Sequence, residues 1–297
     1  MLNRKILKVP ARERIVAINV NDVPVYEAIV LGIVQGLSEF LPISSTAHLK
    51  VVPALLGWQD PGVAYSAVIQ LGSVVAVLCY FFKDLYSLAR GLVAALAQKD
   101  FASADLRMLA SIIVGTIPIC VVGLLLKGFL EADSCPLRSF YVIGGASIFM
   151  GTLLLIAERF AKHTRSIEQT GMRDGLIVGL GQALALIPGC SRSGSTLTVA
   201  LFMNLKRDDA ARFSFLLGIP AILLSGMLEL KDLLQMGLPE EGIKSLVVGL
   251  VVSTLVSYAA IWWLIKFLRT NSTMPFVVYR LVFGVSIIAM SAANIIH

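Results

Sequence analysis

Charge is scarce in this chain: Asp, Glu, Lys and Arg make up 15% of its 297 residues, against about 25% in an ordinary soluble domain. Hydrophobic residues reach 57% and mean hydropathy is +0.83. That balance excludes a soluble globular protein. It describes an integral membrane protein with several spans and no room for a large soluble domain. No C-x-x-C spacing occurs among the four cysteines, Cys79, Cys120, Cys135 and Cys190. They read as small apolar residues, which excludes a disulfide frame or a thiolate metal site. Basic runs interleaved with aromatics are also missing. The formal charge of +6 is therefore no nucleic-acid footprint, because Lys and Arg sit mostly in short loops between apolar segments. The first 20 residues are basic and lack an apolar core of signal-peptide length. Residues 1–22 read as a poorly ordered extension, or as an over-extended translation start, ahead of one membrane domain over 23–297.

Apolar segments of spanning length, near 20 residues, occur at about 62–82, 108–126, 140–157, 213–230, 245–265 and 276–296. Two more, about 25–56 and 174–205, are broken in the middle by Pro, Ser and Gly. Non-helical backbone survives at membrane depth only where protein or a water-filled cavity surrounds it, so both are expected to be re-entrant helix hairpins. The two also resemble each other. Glu27 is followed by Gly32, Gln35 and Pro42; Asp174 is followed by Gly179, Gln182 and Pro188. Each broken segment precedes three spans, giving repeats over about 23–157 and 172–297. An odd number of spans inverts the second repeat, and inverted repeats commonly meet at a midplane site built from discontinuous helices. The expected fold is all-α and polytopic: about six transmembrane helices plus two re-entrant hairpins in an inverted repeat.

Loop charge sets the expected orientation. Lys83, Arg90, Lys99 and Arg107, with Arg159, Lys162, Arg165, Arg173, Lys206, Arg207, Arg212, Lys266 and Arg269, mark one side as cytoplasmic. Lys50, Lys127, Arg138, Lys231 and Lys244 lie on the other, several beside acids. Both termini and the entrance of the first hairpin then face outward. The basic N-terminal tail argues the other way, and the internal loops are given more weight.

Ionisable groups at membrane depth are expensive and usually functional, so the two breaks are the candidate site. The first reads Q-G-L-S-E-F-L-P-I-S-S-T-A-H over 35–48. Gln35 and Glu39 are four apart and share a helical face. Their carboxylate and amide oxygens suit a hard divalent cation, Mg or Ca, whereas a purely structural Glu39 would cap a helix or pair with a cation. Ser44, Ser45 and Thr46 follow Pro42 and either cap the second half-helix or touch substrate. His48 is one of three histidines and reads as a general base or nucleophile. The second break, P-G-C-S-R-S-G-S-T over 188–196, centres on Arg192. With Ser191, Ser193, Thr196 and backbone N–H groups it forms a phosphate-binding set; its structural alternative is a pair with Glu39. Together the breaks suit metal-assisted phosphoryl transfer from a lipid-linked phosphate.

These motifs, Q-x-x-x-E then F-L-P-x-S-S-T-x-H and a later P-G-x-S-R-S-G-x-T, resemble the bacterial undecaprenyl-diphosphate phosphatase (bacitracin resistance) family. The resemblance runs from about residue 23 to the C-terminus and includes A-V-I-Q-L-G-S (67–73), F-S-F-L-L (213–217) and P-F-V-V-Y-R (275–280). It implies hydrolysis of a polyprenyl diphosphate, undecaprenyl diphosphate, to the monophosphate with a divalent cation. That reaction recycles the lipid carrier for cell-wall synthesis. The implied place is the bacterial plasma (inner) membrane, with the active site facing outward. Carried over by motif, Gln35 and Glu39 are the metal pair, Ser45 and His48 the nucleophile or base, and Arg192 the phosphate ligand. Gln35 stands where an acid is common, and Ala47 where Gly occurs. The favoured attack is by Ser45 with His48 as base. A type-2 phosphatidic-acid phosphatase is set aside, because no His lies between His163 and His297. A transporter or flippase of undecaprenyl phosphate is the alternative of another class; an ion channel would need a ring of repeated charges. The bilayer and the lipid are the expected partners, a homodimer is allowed, and nucleic acid is excluded.

Overall fold

Backbone groups in hydrocarbon must find partners within the protein, and the computed structural model meets that demand with helix. It describes residues 23–100, 103–130, 135–236 and 240–296, so the extension expected over 1–22 lies outside the described residues. In chain order the helices are α1 (Val25–Phe40), α2 (Ser45–Leu56), α3 (Gly62–Tyr80), α4 (Phe82–Gln98), α5 (Ala104–Leu130), α6 (Phe140–Phe160), α7 (Met172–Ala183), α8 (Arg192–Phe202), α9 (Arg207–Met236), α10 (Glu240–Leu268) and α11 (Met274–Ala292). Six of them, α3, α5, α6, α9, α10 and α11, are long and apolar enough to cross a membrane, and they fall on the six segments expected from hydropathy.

The two broken segments form hairpins. At 1.5 Å per residue, α1 is about 24 Å long and α2 about 18 Å, so neither arm crosses a hydrocarbon core of about 30 Å. The ring centroids of Tyr26 and Trp58 lie 5.8 Å apart, so the first hairpin enters and leaves at one side. Arg165 does the same service for the second. Its guanidinium bonds Asp174 Oδ1 at the start of α7 (2.9 Å) and the Met203 carbonyl at the end of α8 (3.2 Å).

Close helix contacts carry the inverted repeat. α1 lies against α10, and α7 against α5. A Cβ on Gly32 would sit 2.8 Å from the Gly249 carbonyl oxygen; one on Gly179 would sit 2.1 Å from that of Gly115. Small residues at matching offsets thus let the first arm of each hairpin pack backbone-to-backbone on the second span of the other repeat, the packing mode favoured in membranes.

One segment departs from expectation. Residues holding Lys83 and Arg90 read as loop but form the 17-residue helix α4. Its hydropathy is too low to span, yet Leu85 and Leu88 pack on the core while Phe82, Tyr86, Val93 and Leu96 are exposed. This is the pattern of an amphipathic surface helix. The charges still collect as the loop reading groups them. Arg207–Glu158, Arg212–Asp84 and Arg269–Asp208 pair at one pole, Arg138–Asp60 and Lys127–Asp232 at the other.

Candidate active site

Pro42 ends the first hairpin arm and Pro188 lies in the second break, and each second arm starts after a serine with positive φ, 78° at Ser44 and 69° at Ser191. Such backbone costs about 1–3 kcal/mol and persists only where its surroundings hold it. Arg280 of α11 supplies that hold. It is 1% exposed and donates to the carbonyls of Pro42 (2.9 Å), Gly189 (2.6 Å), Cys190 (3.2 Å) and Ser147 (3.2 Å). One guanidinium therefore ties the tips of both hairpins to α6. Ser193 adds a second tie, donating to the Glu39 and Leu41 carbonyls at 2.9 and 3.1 Å.

Glu39 lies at the meeting point and is 3% exposed. Its Oε2 accepts from Gln35 Nε2 (2.9 Å) and Ser45 Oγ (2.7 Å). Its Oε1 accepts from Gln70 Nε2 and Arg192 Nη2, both at 2.8 Å. A carboxylate this deep in hydrocarbon is tolerable only with such a set of donors. Gln35 reaches on to Ser73 (3.4 Å), which bonds Ser257 (2.8 Å). Arg192 projects beside α9, where Gly218 leaves it room: a Cβ there would be 1.4 Å from Arg192 Nη1. Arg192 Nε is buried without a hydrogen bond.

A cavity of about 320 Å³ opens from this cluster. Its polar end carries Glu39, Ser45, Thr46, Gln70, Ser191 and Arg192; its walls include Ile119, Leu124, Leu186, Leu224 and Leu228 of α5, α9 and the second break. Leu124, Leu224 and Leu228, on the span-length apolar helices α5 and α9, are exposed, so the apolar part of the cavity is open rather than enclosed. The N-terminal turns of α2 and α8 both face the polar end, a placement that favours anions.

The expected site residues therefore divide. Gln35, Glu39, Ser45 and Arg192 come together, with Thr46 and Ser191 beside them. Three expected phosphate ligands are instead spent inside the protein. Ser193 ties the two breaks. Thr196 bonds the Arg192 carbonyl (2.8 Å) and Ser214. Ser44 bonds Thr46 Oγ1 (3.3 Å), without capping α2. The expected Ser45–His48 pairing is not formed. His48 Nδ1 donates to the Ser44 carbonyl (2.7 Å), Nε2 bonds Tyr279 OH (2.6 Å), and the ring stacks on Phe283 with centroids 4.2 Å apart. Ser45, as the first residue of α2, points to Glu39. His48, one turn on, leans towards α11.

Gln70, Tyr279 and Arg280 belong to the site without having been assigned roles from sequence. Gln70 and Arg280 are polar groups inside spans, which is a signal in itself.

A family model described as "Bacitracin resistance protein BacA" matches residues 28–286. The chain is 56% identical over 275 residues to an undecaprenyl-diphosphatase of Gloeobacter violaceus, covering 93% of this chain and 94% of that one. It is 58% identical over 260 residues to one of Synechococcus elongatus (87% and 90%), and 55% over 279 residues to one of Nostoc sp. (94% and 87%). A match across nearly the whole domain, joined to a site assembled from both breaks, places this chain in the bacitracin resistance protein BacA family.

Proposed function

We propose that this multi-pass membrane enzyme hydrolyses undecaprenyl diphosphate to undecaprenyl phosphate and inorganic phosphate. The observation that carries the reading is the junction of an open apolar cavity with a buried Glu39–Arg192–Ser45–Gln70 cluster. The prenyl chain would lie along Leu124, Leu224 and Leu228. The diphosphate would compete with Glu39 for the Arg192 guanidinium, whose Nη2 now bonds Glu39. Such transfer depends on positioning and charge neutralisation more than on covalent chemistry.

The geometry favours Ser45 as nucleophile with Glu39 as its base, since the Ser45 hydroxyl already donates to Glu39 Oε2. Ser45 Oγ would attack the terminal phosphorus as its proton passes to Glu39. The bond from that phosphorus to the bridging oxygen breaks, and undecaprenyl phosphate leaves. Water then hydrolyses the phosphoserine, releasing phosphate. His48, held by Ser44 and Tyr279, would fix the strained turn that presents Ser45.

A hard divalent cation, Mg or Ca, would take the Glu39 carboxylate, with Ser45 and the amide oxygens of Gln35 and Gln70 as neutral ligands once those amides turn over from the Nε2 donation they now make to Glu39. Among the described residues no group of three His, Cys, Asp or Glu side chains could hold a metal, so the diphosphate would have to bring the other anionic ligands. Such a cation would neutralise charge on the transferring phosphoryl group. We place the enzyme in the plasma (inner) membrane with the cavity facing outward, supported by the division of loop charge. The test is phosphate release from undecaprenyl diphosphate by purified protein, with and without chelator. Release that is lost with chelator and restored by Mg or Ca is expected. No release under either condition would overturn the reading.

A further inference from the structure

A second chamber, about 310 Å³, adjoins the first and shares eight lining residues with it, Ser45, Thr46 and Gln70 among them. It leads a different way. The first chamber runs along leucines of α5 and α9 to Lys127 and Glu229; the second reaches Lys50, Asp60, Ser66 and Arg138. Lys50 lies one turn after Thr46 on α2, so the two share a face. Its Nζ donates to the Arg138 carbonyl and sits 5.1 Å from the centre of the Phe140 ring. The Arg138 guanidinium bonds Asp60 at 3.3 Å, where the Asp60 side chain is 44% exposed. The passage thus runs from the reacting cluster to the surface and presents two cations against one carboxylate.

We propose that this chamber is an anion site on the path by which inorganic phosphate leaves, with Lys50 and Arg138 as its receiving groups. The inference rests on the phosphatase reading. That reaction makes two products of opposite solubility: a lipid that must return to the bilayer and a small anion that must reach water. The leucine wall of the first chamber suits the lipid, and the Lys50–Arg138 end of the second suits the anion. An anion crossing a low-dielectric passage needs a cation along the way, and one held too tightly would not leave. Both cations here are already partly engaged, Arg138 by Asp60 and Lys50 by a carbonyl, which tempers the hold. The same anion chemistry is carried by the lipid's own terminal phosphate, so the test must separate the two.

The full-length protein in nanodiscs is given undecaprenyl diphosphate labelled in its terminal phosphate, with unlabelled inorganic phosphate as inhibitor. Lys50→Met is expected to raise the phosphate inhibition constant about tenfold, equivalent to about 1.4 kcal/mol, while the KM for lipid moves less than twofold. Lys50→Arg should retain inhibition. An equal rise in both constants would put Lys50 on the lipid diphosphate and overturn the proposal. So would unchanged inhibition in both Lys50→Met and Arg138→Gln. Equilibrium binding of labelled phosphate to the same proteins, weakened in Lys50→Met, tests the chamber independently. It still reports if the unmodified chain releases nothing from lipid, the outcome that would sink the phosphatase reading instead.

Discussion

Gly218→Ala is the sharpest single perturbation of the site, because it adds one methyl group and removes no polar atom. The new Cβ would lie 1.4 Å from Arg192 Nη1, where ordinary contact begins at 3.4 Å. The guanidinium must therefore retreat by about 2 Å, and its 2.8 Å bond to Glu39 cannot survive that shift. The atom displaced is the far end of a flexible side chain, so the fold should hold and the melting temperature should move by only a few degrees. Misplacing a positioning group by about 1 Å can cost about 10² in rate. The expected loss is at least 10² in kcat/KM for phosphate release, or about 2.7 kcal/mol of transition-state stabilisation. Gly145→Ala is the control: nothing lies within 4 Å of its Cβ, and activity should be unchanged. Full activity in Gly218→Ala, with an intact control, would refute the placement of Arg192 as the phosphate ligand.

Gln70→Ala removes one of four donors on Glu39. A hydrogen bond to a charged group contributes about 1.5–3 kcal/mol, so phosphate release should fall about 10- to 100-fold; a normal rate would remove Gln70 from the site. Arg280→Met leaves four carbonyls without this donor and should destabilise the protein by about 1–3 kcal/mol for each acceptor left unsatisfied, read as a lower melting temperature in detergent, with Arg280→Lys intermediate. Wild-type melting in Arg280→Met would contradict its role in joining the hairpin tips. Tyr279→Phe and His48→Asn should be strongly non-additive in rate, with a coupling of about 1 kcal/mol or more. Additive losses would mean that His48 acts independently of Tyr279.

The spans were legible because hydrocarbon thickness dictates length and composition, and each of the six segments reappears as a helix. The breaks were legible because Glu39 and Arg192 have no reason to lie in an apolar run unless they meet. What the sequence hid was direction. Ser45 and His48 are three apart and look like neighbours, yet Ser45 opens α2 and faces Glu39, while His48 is drawn to Tyr279, 231 residues on in the chain. Ser193 and Thr196 sit in a motif that reads as phosphate-binding, but their hydroxyls go to the backbone of the two breaks. Arg280 was visible as a lone cation in a span, but its partners are backbone carbonyls of three separate segments, which no side-chain pattern announces. α4 was hidden because its charges lower its hydropathy, although its period still sets Leu85 and Leu88, both half-buried, against the core.

The central claim is that two breaks from inverted halves of the chain form one catalytic site. A double-mutant cycle of Ser45→Ala and Arg192→Ala, read as phosphate release from undecaprenyl diphosphate, tests it most directly. Residues acting as a unit are grossly non-additive, so each single variant should lose nearly as much activity as the double. Losses that multiply in the double variant would contradict a shared site.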